Sequence, residues 1–152
     1  MRLLVIRHGK AERQSASGRD RDRVLMPRGV HQAEHLGTAL HDRAPALILS
    51  SPYARAWATA EIVQRALGVP LRAEARLECD RPLSEAVEAI REHAPAGSLA
   101  LVGHNPTLSV LVGALIGKRG VELRTGEAAE IDLDPDTLRG TLLASLRLDE
   151  DD

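Results

Sequence analysis

The chain has 152 residues, the size of one ordinary domain. Hydrophobic residues make up 43%, too many for a disordered chain, and 20 basic against 22 acidic side chains leave a charge of −2, which argues against nucleic-acid or anionic-membrane binding. Tyr53 and Trp57 are the only aromatics, so a base-stacking platform is excluded, and the single cysteine, Cys79, excludes an internal disulfide or a Cys-rich zinc site.

The longest apolar runs, such as Leu108 to Ile116, fall far short of the roughly 20 residues a bilayer requires, so no membrane span is expected. Met1 to His8 carries charge inside its apolar stretch and lacks a small-residue cleavage site. It reads as a first strand over 2–7, not a signal peptide, and a reducing cytoplasm is the expected compartment. Residues 9–28 are polar and irregular. Arg19-Asp20-Arg21-Asp22-Arg23 alternates in sign and reads as loop, closed by Pro27 and Gly29. Helical spacing of Ala33, Leu36 and Leu40 predicts a helix over 29–43. Ala46 to Ser50 reads as a second strand. Ser51 and Pro52 then look like a helix cap and first helical position, with Ala56, Ala60, Val63 and Leu67 on the apolar face and Gly68 as the stop.

A short strand is expected at 71–74, a helix from Ser84 to about His93, and a strand from Ser98 to Gly103. Asn105-Pro106 repeats the cap-then-proline start for a helix to about Ile116. Residues 128–133 and 141–148 read as two strands joined at Asp134-Pro135-Asp136, and the acidic end at 149–152 as frayed. Strands alternating with helices predict an α/β sandwich with a mostly parallel sheet in one domain spanning 1–152, with no internal repeat.

Ligands of such sheets bind at the carboxyl ends of the strands. Arg7-His8-Gly9 follows the first strand, Ser51-Pro52-Tyr53-Ala54-Arg55 the second, and Gly103-His104-Asn105-Pro106 the third clear one. Two histidines and two arginines therefore converge on one sheet edge. Arginine forks suit phosphoryl oxygens, and imidazole is both nucleophile and hydrogen-bonding group. These three motifs in this order resemble the histidine phosphatase superfamily, the phosphoglycerate-mutase-like clan. The short chain and Val102-Gly103-His104-Asn105-Pro106 make it most similar to the SixA-type phosphohistidine phosphatases.

The resemblance implies a three-layer α/β/α sandwich with a six-stranded sheet and one antiparallel strand. It implies His8 as the nucleophile, Arg7 and Arg55 as the phosphoryl clamp, and His104 as the group that stabilises the transition state. Arginines take the part a metal plays elsewhere, so no metal or cofactor is expected. Larger members use a carboxylate to protonate the leaving oxygen. Glu78 is the candidate acid and Asp80 its neighbour, with plain surface charges as the competing reading; SixA-type proteins lack a clear acid there. The expected substrate is phosphohistidine on a protein partner, handled by a monomeric enzyme. The alternatives are a small-molecule phosphomonoesterase or mutase, and a catalytically silent phosphate-binding module. Retention of His8 with both arginines and His104 argues against the silent module.

The remaining candidates have structural readings. Arg23 either touches phosphate or pairs with Asp20 or Asp22, and pairing is favoured. Lys10 extends the positive rim. His31 and His35 share a zinc-compatible spacing but lack a third ligand and a Glu between them, so they read as a solvated helix face. His41 and His93 read as surface residues near helix ends. Cys79 has no basic sequence neighbour except Arg81. Tyr53 and Trp57 read as packing at a helix start, with Tyr53 close enough to Arg55 to line the pocket.

Overall fold

Alternation of side chains along the first strand decides the layering. In the computed structural model, which describes residues 1–148, Leu3 to Ile6 of β1 (Arg2–Arg7) are all fully buried. Successive side chains of a strand point to opposite faces. Leu3 and Val5 accordingly join one core and Leu4 and Ile6 the other. The acidic end read as frayed lies outside the described residues.

The other strands are β2 (Ile48–Ser50), β3 (Leu71–Ala73), β4 (Ser98–Gly103), β5 (Ala128–Asp134) and β6 (Arg139–Leu146). They form one sheet in the order β3-β2-β4-β1-β5-β6. β3, β2, β4 and β1 pair in parallel; β5 is antiparallel to both β1 and β6. One strand thus opposes the rest, as the family resemblance implies. Helices α1 (Pro27–Ala39) and α2 (Ala54–Leu67) cover one face through Leu36, Ala56, Ala60 and Val63. Helices α3 (Leu83–His93) and α4 (Thr107–Ile116) cover the other through Ala86, Ile90, Leu108, Leu111 and Leu115. With so few aromatics, these aliphatic layers carry the burial, at about 2 kcal/mol for each fully buried leucine. Among the described residues no helix is long and apolar enough to cross a membrane.

Five helix boundaries differ from the sequence expectation. Pro27, read as closing the preceding loop, is the first residue of α1, where its missing N–H costs nothing. That helix ends at Ala39 and passes into a 3₁₀ turn at His41–Arg43. Ser51 does not cap α2, which begins at Ala54: its Oγ accepts from the Tyr53 N–H at 3.2 Å and bonds His104 Nε2 at 2.8 Å. Ser84 lies inside α3, which Pro82 precedes. At α4, Pro106 is outside the helix, while Asn105 does serve its start. Asn105 Oδ1 accepts from the Ser109 N–H at 3.2 Å and from Ser109 Oγ at 2.7 Å. Gly68 ends α2 at φ 68°, the left-handed conformation that favours glycine.

Candidate active site

The parallel register brings the sequence motifs together. Arg7 lies opposite Gly103 and Ser50 opposite Val102, so His8, Ser51 and His104 emerge side by side from three adjacent strands. The His8 and His104 ring centroids are 5.3 Å apart. Both rings are nearly sealed from solvent, at 8% and 4% exposure, and Arg55 at 3%.

Local hydrogen bonds fix each group. The His8 N–H donates to the Gly103 carbonyl at 3.0 Å. His8 Nδ1 lies 2.6 Å from the Gly9 carbonyl, which can only accept, so Nδ1 carries the proton and Nε2 keeps its lone pair. Gly9 is required by close packing: a Cβ there would meet the Gly29 carbonyl oxygen at 2.6 Å. The Gly9 N–H donates to Thr59 Oγ1 at 3.0 Å, and Thr59 Oγ1 donates to the Arg55 carbonyl at 2.8 Å. One hydroxyl therefore ties the His8-Gly9 loop to the helix bearing Arg55. Arg7 Nη1 donates to the Leu123 carbonyl at 3.1 Å. Tyr53 packs edge-on against His104 at 5.2 Å, and the Arg55 guanidinium lies 5.4 Å from the Tyr53 ring centre. Tyr53 thus packs against both His104 and Arg55.

Within this cluster, three buried nitrogens have no hydrogen-bond partner among the described residues: Arg7 Nε, Arg55 Nε and His104 Nδ1. Buried polar groups are normally satisfied, so three orphans from one cluster of side chains mark a place for an acceptor-rich ligand. The electrostatics agree. Burial, aided by Arg55, Arg7 and Arg23, pushes the His8 pKa down to about 4 against the Gly9 hydrogen bond. Burial, His8 and Arg55 push His104 down to about 3, with Asp20 acting the other way. Burial also lowers Arg7, opposed by Glu122. Both imidazoles are neutral at pH 7 in a field that favours an anion.

This burial makes the site acid-sensitive. Both rings have native pKa values below the ordinary 6.5, so the unfolded chain binds more protons as pH falls below 6.5. The contribution to stability is complete above about pH 6.5 and is lost progressively towards pH 4 and below. For His8 the loss is on the order of 3 kcal/mol. Urea midpoints at pH 7 and pH 4.5 should separate widely in the wild type and less in His8→Asn. Equal separations would remove His8 from the acid response.

Of the other sequence candidates, Arg23 pairs with Asp20, its Nε donating to Oδ1 at 2.9 Å. Lys10 is exposed, and its backbone N–H donates to Gln32 Oε1 at 2.9 Å. Glu78 is half-buried and 3.9 Å from Arg81, while Asp80 is exposed. His31 is exposed and His35 half-buried on α1. Among the described residues no three His, Cys, Asp or Glu side chains are grouped to hold a metal ion. Cys79 gains a basic neighbour through the fold: Arg55, distant in sequence, places Nη2 3.1 Å from its Sγ, and burial pushes its thiol up. The sequence reading missed Asp20, Ser51 and Thr59 as site residues. Thr59 follows Arg55 by one helical turn, a usable signal; Asp20 had none beyond its loop charge. An open cavity of about 470 Å³, bounded by Arg13, Arg19, Asp20 and Arg23, adjoins the site.

The family described as histidine phosphatase superfamily (branch 1) matches residues 3–80, a stretch that includes Arg7, His8 and Arg55. A structure presented as a candidate phosphohistidine phosphatase SixA from Agrobacterium tumefaciens is 30% identical, with a TM-score of 0.85 over 95% of this chain and 96% of that one. A protein histidine phosphatase SixA complexed with tungstate is 22% identical, with a TM-score of 0.86 over 97% of each chain. A mycobacterial glucosyl-3-phosphoglycerate phosphatase shares the fold at 19% identity, with a TM-score of 0.74 over 94% of this chain and 97% of that one. No curated protein matches. The chain belongs to the histidine phosphatase superfamily, branch 1, and is a phosphatase that works through a phosphohistidine intermediate.

Proposed function

We propose that the intermediate forms on His8 and that the substrate is a phosphohistidine side chain on a partner protein. The observation that carries the site assignment is the trio of unpartnered buried nitrogens on Arg7, Arg55 and His104 around a His8 ring whose Nε2 is free. The His8 Nε2 lone pair attacks phosphorus in line with the departing nitrogen. A P–N bond forms to His8, and the P–N bond to the substrate imidazole breaks. Arg7 and Arg55 take the charge on the equatorial oxygens, and His104 hydrogen-bonds the same group. Water then attacks phosphorus, inorganic phosphate leaves, and His8 returns neutral.

Two features support a protein substrate. The connections after β2 and β4 are three residues each, 51–53 and 104–106, so neither builds a lid. The long connection after β1 is tied down onto Arg55 through Asp20. A side chain projecting from another protein can enter such a site. The leaving group gives the second feature. Imidazole departs readily once its far nitrogen is protonated, whereas an alkoxide requires a well-placed acid. Glu78, the candidate donor, is turned towards Arg81. The chain acts as a single catalytic domain, a monomer in the cytoplasm, without a metal.

Side-by-side kcat/KM values should favour phosphohistidine peptides over phosphoserine and phosphothreonine peptides by at least about tenfold, the discrimination lost when an alkoxide leaves unprotonated. A sugar phosphate or phosphoglycerate that wins by a similar margin would sink the substrate assignment and leave the His8 chemistry standing. In the same assay Glu78→Gln should leave both classes unchanged. A selective loss on alkyl phosphates would make Glu78 the proton donor.

A further inference from the structure

Asp20 sits in the β1–α1 connection, within a 3₁₀ turn over Asp20–Asp22, and reaches Arg55 twice. Arg55 Nη1 donates to the Asp20 carbonyl oxygen at 2.9 Å, and Nη2 to Oδ2 at 3.1 Å. The other carboxylate oxygen, Oδ1, accepts from Arg23 Nε at 2.9 Å. Arg23 is held again by Nη1, which donates to the Glu12 carbonyl at 2.7 Å. One carboxylate thus bridges two guanidinium groups. Partial burial alone would raise the Asp20 pKa, but its bonds to Arg23 and Arg55 outweigh this and keep it ionised.

A guanidinium offers an acceptor pair either its end edge, Nη1 with Nη2, or its side edge, Nε with Nη2. The two bonds to Asp20 take the end edge of Arg55. On the side edge, Nε is buried with no partner, and Nη2 lies against Cys79 Sγ at 3.1 Å. A free arginine would sample other rotamers about its long stem.

We propose that Asp20 is a positioning residue: it grips Arg55 by the end edge so that the Nε edge faces the phosphoryl group, and it fixes Arg23 alongside. The inference rests on Arg55 being the phosphoryl clamp, as proposed above. A carboxylate beside an anion site is costly, because its charge repels the ligand. The return is a fixed guanidinium, and small misplacements of such groups cost large factors in rate. A mere countercharge and a positioning residue therefore differ in sign. Loss of a countercharge tightens an oxyanion; loss of the positioning residue weakens it.

The test uses Asp20→Ala and Asp20→Asn in the full chain. Readouts are kcat and KM on p-nitrophenyl phosphate, orthovanadate inhibition and thermal melting. Each variant should lower kcat/KM by roughly 10–100-fold, with most of the loss in kcat, and should weaken vanadate. Melting should hold within a few degrees, since the Asp20 side chain is 58% exposed. In an Arg55→Ala background, Asp20→Ala should change vanadate inhibition by only about threefold or less, because the group it holds is gone. Tighter vanadate binding, kcat/KM within twofold of wild type, or losses that multiply in full with Arg55→Ala would each overturn the proposal. Asp20→Asn keeps the side chain's size, so a folding defect confined to the alanine variant does not decide the outcome. Arg55→Ala alone separates the two readings: normal turnover there ends the clamp assignment itself.

Discussion

Replacing His8 with alanine should abolish turnover, with a fall on the order of 10⁴-fold or more, as expected when a nucleophile is removed. The expectation rests on the tautomer. Nδ1 is committed to the Gly9 carbonyl at 2.6 Å, so the lone pair that attacks is at Nε2, and a pKa near 4 keeps it available at neutral pH. The second histidine is not placed to substitute, because its Nε2 already bonds Ser51 Oγ at 2.8 Å. Wild-type enzyme quenched during turnover of a ³²P-labelled substrate should carry label that acid removes and alkali preserves, the signature of a phosphoramidate. The His8→Ala protein should carry none. A labelled or near-fully active His8→Ala enzyme would end the assignment. The variant has a second use, because it removes one of the two buried rings responsible for the predicted loss of stability below pH 6.5.

Arg55→Ala and Arg7→Ala should each cost about a hundredfold or more in kcat/KM, or about 3 kcal/mol of transition-state stabilisation. Arg55 is 3% exposed, so the charge it offers is little screened by water. Lysine should rescue Arg55 poorly. A point charge on a flexible stem cannot bond the two acceptors of Asp20 and also present an N–H edge to the ligand. At Arg7, lysine can keep the bond to the Leu123 carbonyl but not the buried Nε–H. Steady-state kinetics on an aryl phosphate check both. Activity lost on chelation with EDTA and restored by a divalent cation would show that the charge is neutralised in another way. Attention would then return to His31 and His35.

The cluster was legible in the sequence because it depends on order and spacing. Arg7-His8-Gly9, Ser51 to Arg55 and Gly103-His104 each follow an apolar strand, and parallel strands put their carboxyl ends on the same edge. Local chemistry also pointed to the element types: the short apolar run Leu3 to Ile6 forms a strand buried on both faces, and Gly68 is a helix stop. Helix starts were less legible. A serine before a proline reads as a cap, yet Ser51 spends its hydroxyl on His104, a partner 53 residues away. The sequence by itself determined the fold class and the histidine-arginine set, because hydrophobic period and motif order are local properties of the chain. Only the tertiary structure decided what holds that set in place. Arg55 meets Asp20 across 35 residues and Cys79 across 24, and Gly9 meets Thr59 across 50. Such pairings depend on where a polar loop lands once the layers have packed, and no periodicity within the loop encodes that landing.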